Sequence, residues 1–311
     1  MDNLISIRNA FPSGAWDRLE CRMKMLEKHL ILRQYQELIS GTEVASIEIH
    51  PEELVVVTHS GLRLHWNLED SCYAPSELIN IGHYESEECP VLNDAARGAS
   101  TIFDVGSNIG FFSLQWAANL APGGKIHAFE PVPLSYSQLQ RNIVLNRRES
   151  CIVANNTAVG ETASTLTLFI PEYPGPAAAS LNRLHPNSSN VEISVPVISL
   201  DEYYVQAGCP QLDMLKADVE GAELFVIKGA YKTIAAQRPL IFLELLRKWA
   251  KPFGYHPNDV ISLLRGIGYR CFVLNDNALA PFEVMDEETT HKNFFFADPQ
   301  KHADFLARHG V

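Results

Sequence analysis

The stretch Thr101-Ile-Phe-Asp-Val-Gly-Ser-Asn-Ile-Gly110 sets the reading of the chain, because a short β-rich run there meets a glycine turn and then a helix-like segment. The apolar run Thr101 to Phe103 carries Asp104 to the end of a buried strand. Gly106 and Gly110 let the backbone turn tightly beside a ligand, and Phe111 onward has helical spacing. In the next strand-like run, Lys125-Ile-His-Ala-Phe-Glu130-Pro131, an acidic residue stands where a ribose partner is expected. A nucleoside-containing cofactor is therefore expected at this turn.

Outward from it, strand-like and helix-like runs alternate, the pattern of a parallel sheet covered by helices on both faces. Strands are predicted at 101–105, 125–130, 151–155, 213–218, 239–245, 270–274 and 292–297. Helices are predicted at about 110–120, 133–146, 222–237 and 257–267, the last capped by Asn258 or its neighbour. The fold class is α/β, Rossmann-like, with a seven-stranded and mostly parallel sheet. One interval breaks the alternation. The β-rich runs Thr165 to Ile170 and Val191 to Ile198, joined by Pro171-Glu-Tyr-Pro-Gly-Pro176 and a polar stretch to Asn190, predict a β-hairpin inserted on the sheet edge with a mobile tip.

Upstream, Leu19, Met23, Leu26 and Leu30 recur at helical spacing and predict an amphipathic helix from Ala15 to about Ser40. Its first reading is packing against the body of the chain, with a dimer contact or a lid as alternatives. Three short β-rich runs follow, Val44 to His50, Leu54 to Thr58 and Leu62 to Asn67, the last two joined by a hairpin turn at His59-Ser-Gly61. One or two helices between Ser76 and Ala96 would bring Tyr84-Glu85 close to the cofactor end of the Thr101 strand. Residues 1–95 are thus read as an N-terminal α+β accessory segment and 96–311 as the cofactor-binding domain.

The balance of Lys+Arg 25 against Asp+Glu 37, a net charge of -12, argues against a general grip on nucleic acid or an anionic membrane. Cys21, Cys72, Cys89, Cys151, Cys209 and Cys271 are scattered without metal-binding spacing and read as reduced, mostly packed thiols. No apolar run reaches the roughly 20 residues that span a bilayer, so a cytoplasmic protein is expected.

Spacing separates the candidate cofactors. Dehydrogenases want G-x-G-x-x-G, whereas Ser107 and Asn108 stand inside this turn, and Asp104 would sit badly beside a pyrophosphate. Asp104 suits an ammonium and a sulfonium, and Asn108 with backbone N–H groups at the helix start can hold a carboxylate. Those are the ends of S-adenosylmethionine.

The chain resembles the FkbM-type S-adenosylmethionine-dependent methyltransferases over roughly residues 76–298. The resemblance rests on Asp104 to Gly110 with Ser113, Ala128-Phe-Glu-Pro131 with Leu139, Asn142 and Leu145-Asn146, Ala158-Val-Gly160, Leu200-Asp201, Lys216-Ala-Asp-Val-Glu-Gly-Ala-Glu223, and Pro239 to Glu244. Ser107 stands where alanine is commoner, and Ala217 where isoleucine is usual. The resemblance implies a class I methyltransferase sheet, with Glu130 accepting from both ribose hydroxyls and Asn156 near adenine. The cofactor set is then Tyr84, Asp104, Gly106, Ser107, Asn108, Gly110, Ser113, Glu130, Pro131 and Asn156.

For catalysis, Lys216, Asp218 and Glu220 alternate along an extended run and Glu244 ends the neighbouring strand, at the sheet edge where open α/β folds place ligands. Asp218 and Glu244 could orient or deprotonate a hydroxyl, or hold a divalent metal through oxygen, although no metal site is predicted. The competing reading pairs Lys216 with Asp218 structurally and lets Glu220 cap the next helix. His256 and His291 are the better histidine candidates, and no histidine pair has metal spacing. A hydroxylated small molecule is the expected acceptor, methylated on oxygen. A catalytically silent cofactor-binding partner protein, N-methylation of an amine, and a dehydrogenase are the alternatives.

Overall fold

A computed structural model describes residues 3–69, 73–171, 190–209 and 211–311. The expected hairpin tip at 172–189 and Cys72 lie outside the described residues.

The chain opens with α1 (Leu4–Ala10) and α2 (Arg18–Leu38). Asp17 starts α2 with a reciprocal cap: its carboxylate accepts from the Leu19 and Glu20 N–H groups, and Glu20 accepts from the Asp17 N–H. The predicted apolar stripe is present but does not pack on the body. Leu19, Met23, Leu26 and Leu30 are 67%, 62%, 59% and 53% exposed. Periodicity specifies an apolar face and leaves open what covers it. Only the last turns reach the body, where Tyr35 meets the edge of Trp66 at 6.2 Å and Ile39 packs on the core.

An antiparallel sheet follows, β1 (Val44–Ile49), β2 (Leu54–Thr58) and β3 (Arg63–His65), then α3 (Ala74–Asn80) and α4 (Cys89–Ala95). The central run is β4 (Thr101–Val105), α5 (Phe111–Trp116), β5 (Lys125–Phe129), α6 (Pro133–Leu145) and β6 (Ile152–Asn155). Next come β7 (Ala158–Val159), β8 (Ser164–Pro171), β9 (Asn190–Ile198) and α7 (Leu200–Gln206). The chain closes with β10 (Met214–Ala217), α8 (Glu223–Gly229), α9 (Tyr231–Gln237), β11 (Leu240–Glu244), α10 (Arg247–Ala250), α11 (Pro257–Gly266), β12 (Arg270–Asn275), β13 (Ala278–Phe282), β14 (Asn293–Ala297) and α12 (Ala303–Arg308).

The main sheet has the order β13-β12-β14-β11-β10-β4-β5-β6. The run from β11 to β6 is parallel, and β14, β12 and β13 are antiparallel. It has eight strands rather than the expected seven. The eighth, β13, turns back from β12 through Asp276 and Asn277, both at positive φ, as a two-residue hairpin turn requires. Pro281 hides this strand in the sequence, yet an edge position tolerates it.

Two further expectations are corrected. The hairpin β8–β9 does not extend the main sheet; it pairs with β7 in a sheet of its own, ordered β7-β9-β8. The predicted helix 222–237 is two helices, broken at Ala230.

Strands buried on both faces read as continuous apolar runs, and alternate side chains feed two cores. Ile102, Ile126, Met214 and Phe242 face one way, Phe103, Leu215, Ile241 and Phe294 the other. The first core also takes in Val44, Val56 and Leu64 of the N-terminal sheet. Asn142 of α6 and Asn146, which caps its C-terminus, fasten that sheet's edge strand. Asn142 accepts from the His65 N–H at 2.8 Å, and Asn146 accepts from the Arg63 N–H at 2.9 Å while donating to its carbonyl at 2.6 Å. No helix of the described residues is long and apolar enough to cross a membrane.

Candidate active site

The turn after β4 lies at the carboxyl ends of the parallel strands, beside a cavity of about 510 Å³. Gly106 and Ser107 both donate their N–H groups to the Phe129 carbonyl at 3.0 Å, which binds the turn to the end of β5. Gly106 has φ +72°, and a Cβ there would stand 1.8 Å from the Asp218 carbonyl oxygen, so this position needs glycine twice over.

Glu130 is buried at the next strand end. One oxygen accepts from the Asn108 N–H at 2.9 Å and the other from the Val132 N–H at 2.8 Å. Burial raises its carboxyl to about 7 despite these bonds. Each oxygen keeps a second lone pair for a hydroxyl. Beside it, Ser107 Oγ and Asn108 Oδ1 are buried without a hydrogen-bond partner, and both residues line the cavity. Buried polar atoms without partners are expensive, and a polar ligand in this cavity would supply them.

Behind the turn lies an ion-paired group. Lys216, 3% exposed, places Nζ 3.4 Å from Asp104, 3.7 Å from Asp218 and 3.1 Å from the Gly106 carbonyl, to which it donates. Ser113 donates its hydroxyl to the other Asp104 oxygen at 2.6 Å. Burial depresses the Lys216 ammonium, but Asp104 and Asp218 outweigh it and raise its pKa. Asp104, Ser113 and Gly110 therefore stand behind the cavity and do not line it. Asn156 does not line it either, because its amide is spent on the Glu130 and Pro131 carbonyls at 2.8 and 3.1 Å. Tyr84, Gly106, Ser107, Asn108, Glu130 and Pro131 do line it, as do Lys216, Asp218, Glu220 and Glu244. Tyr84 rests edge-on against Phe111 at 4.7 Å.

The second side of the cavity is acidic. Burial first, then Asp218, raises Glu244 to about 9 and Glu220 to about 8, and the same causes raise Glu85. Glu220 sits at φ +52° and does not cap α8, which has no side-chain cap. The bend is held by Glu223, to which its place in the sequence motif alone assigns no role. It accepts from the Val219 and Gly221 N–H groups at 3.1 Å, and Tyr255 donates to it at 3.2 Å. Burial raises Glu223 to about 7. The signal was there: a carboxylate two residues beyond a glycine at a helix start can reach back to the loop's free N–H groups.

The two histidine candidates are elsewhere. His256 caps α11 by accepting from the Asn258 N–H at 3.2 Å, and His291 pairs with Asn275 at 2.8 Å. Neither lines the cavity. Leu166 and Leu168 of the hairpin do, with Leu168 packed on Val132. Among the described residues no group of three or more His, Cys, Asp or Glu could hold a metal ion.

Residues 104–271 match the family model for the methyltransferase FkbM domain. The chain is 35% identical over 194 residues to methyltransferase sdnD of Sordaria araneosa, covering 54% of this chain and 73% of that protein. It is 27% identical over 212 residues to 31-O-demethyl-FK506 methyltransferase FkbM of Streptomyces tacrolimicus, covering 60% and 79%. To hexuronic acid methyltransferase AglP of Haloferax volcanii it is 27% identical over 180 residues, covering 58% and 67%.

Proposed function

The chain belongs to the FkbM methyltransferase family, and from that premise we propose that it moves the methyl group of S-adenosylmethionine onto a hydroxyl oxygen of a sugar or a specialised metabolite. The observation that carries this reading is one cavity lined both by Ser107, Asn108 and Glu130, beyond the ends of β4 and β5, and by Asp218, Glu220 and Glu244, at the ends of β10 and β11. S-adenosylmethionine supplies, when bound, a methyl group already activated by a sulfonium. Glu130 accepts from its ribose hydroxyls, and Ser107 and Asn108 give their unpartnered oxygens to its polar groups.

The chain's own work is to orient the acceptor, exclude water and take one proton. Asp218, 40% exposed at its side chain and held near Lys216, accepts the hydroxyl proton as the oxygen attacks. Glu244, with a pKa near 9, carries its proton at neutral pH and donates a hydrogen bond that fixes the acceptor. Two of the relatives are named for 31-O-demethyl-FK506 and for hexuronic acid, which supports an oxygen acceptor on a natural product or a sugar. A carboxylate on the acceptor suits this cavity poorly. Lys216 is the only Lys or Arg among the described lining residues, and Asp104 and Asp218 already match its charge.

The test is incubation with methyl-labelled S-adenosylmethionine and a panel of neutral polyols, macrocyclic alcohols, uronic acids and amines. A labelled methyl ether, slowed about 100-fold or more by Asp218→Asn, is expected. Turnover confined to amines would sink O-methylation.

A further inference from the structure

The uncovered stripe on α2 has the spacing of a coiled-coil seam, and the charges beside it select the partner. Leu19, Met23, Leu26 and Leu30 are separated by four, three and four residues. This places Leu19 and Leu26 at d and Met23 and Leu30 at a, an apolar a/d seam. The helix α1 lies beside the seam rather than on it: Ile7, Arg8 and Phe11 share a groove with Arg18, Cys21, Met25 and the seam-flanking Arg22. Nothing among the described residues buries the seam itself, since α2 has no buried residue.

In this register Glu20 and Glu27 occupy e, and Arg22 and His29 occupy g. An antiparallel pair sets e against e and g against g, which faces Glu20 with Glu27 and Arg22 with His29. A parallel pair sets each g against the next e of its partner, which faces Arg22 with Glu27 twice by symmetry. Beyond Leu30 the next d and a positions are Arg33 and Glu37, which pair within the helix at 3.3 Å, so the seam ends there.

We propose that α2 is a self-association surface on which two copies of this chain pair in parallel, with the two-fold axis along the Leu19–Leu30 seam. The seam is two heptads long, so the dimer is weak and dependent on concentration. Its anchoring at Tyr35 and Ile39 leaves the two bodies side by side at one end of the helix pair.

Sedimentation velocity on the full chain over about a hundredfold range of concentration tests this. The wild type is expected to shift from monomer to dimer, and Leu26→Glu to stay monomeric with an unchanged circular dichroism spectrum. Glu27→Arg should weaken the dimer about 4- to 30-fold, and Arg22→Glu in that background should restore it. A wild type that stays monomeric throughout, or a dimer indifferent to Leu26→Glu, overturns the inference. A dimer tightened by Glu27→Arg overturns it too, because only the antiparallel arrangement gains from that change.

Discussion

Replacing Lys216 by Met should destabilise the chain by about 3–5 kcal/mol, the range for removing one partner of a buried ion pair. Nζ stands 3.4 Å from Asp104, whose side chain is 1% exposed. At an effective dielectric of about 20, that separation gives an attraction of roughly 5 kcal/mol. Methionine fills the space but leaves Asp104 with one oxygen bonded to Ser113 and the other, already without a hydrogen bond, facing apolar surroundings. It also removes the donor to the Gly106 carbonyl, so the turn beside the cavity loosens. The assay is urea unfolding of wild type, Lys216→Met and Lys216→Met with Asp104→Asn. The double variant removes the stranded charge and should recover about 1–2 kcal/mol of the loss. A single-variant loss below about 1 kcal/mol, or a double variant less stable than Lys216→Met alone, would falsify the account of this pair as the support of the turn. The effect should hold across neutral pH. A raised lysine pKa leaves the stabilisation intact below the ordinary value of 10.5 and removes it only as pH climbs past the folded value.

Three other outcomes follow from the same site. Gly106→Ala should cost about 3 kcal/mol or more, because its Cβ meets the Asp218 backbone. Gly208→Ala, at φ +61° with nothing within 4 Å, should cost only about 1–2 kcal/mol; equal costs in urea melts would remove the steric argument. Glu130→Gln should weaken S-adenosylmethionine binding about 10- to 100-fold by calorimetry, since one of the two acceptor oxygens becomes an amide donor; unchanged affinity would move the ribose site elsewhere. Glu130, Glu223, Glu220 and Glu244 have folded pKa values raised from 4.5 to about 7, 7, 8 and 9. Their contribution to stability is full below about 4.5 and lost as pH rises through those values. The thermal midpoint of the free protein should therefore fall between pH 6 and pH 9, less steeply in Glu244→Gln; a midpoint rising over that interval contradicts the burial assigned to these groups.

Much of this was legible in the chain itself, because fully buried parallel strands have little sequence freedom. Thr101-Ile-Phe, Met214-Leu and Leu240-Ile-Phe-Leu could be placed from their apolar runs, and Gly106 from the turn that follows. What escaped depends on long-range partners. Asp104 looks like a ligand residue when only its neighbours in sequence are known, and like a counter-ion once Lys216, more than a hundred residues later, is beside it. Asn156 looks like an adenine contact until the carbonyls of Glu130 and Pro131 claim its amide. The strand β13 was hidden by Pro281, since local propensity does not reveal that a strand lies at an edge.

The Asn142 side chain reaches in two directions, accepting from the His65 N–H and donating to the Ile109 carbonyl in the turn beside the cavity. A single amide thus ties the cavity's rim to a strand some forty residues upstream of it. For anyone building chimaeras from this family, the portable piece is larger than the matched segment 104–271. A graft cut just ahead of β4 would carry over Asn142 without its β3 partner and expose the apolar residues that Val44, Val56 and Leu64 cover. A seam placed in the linker before Val44 keeps both intact.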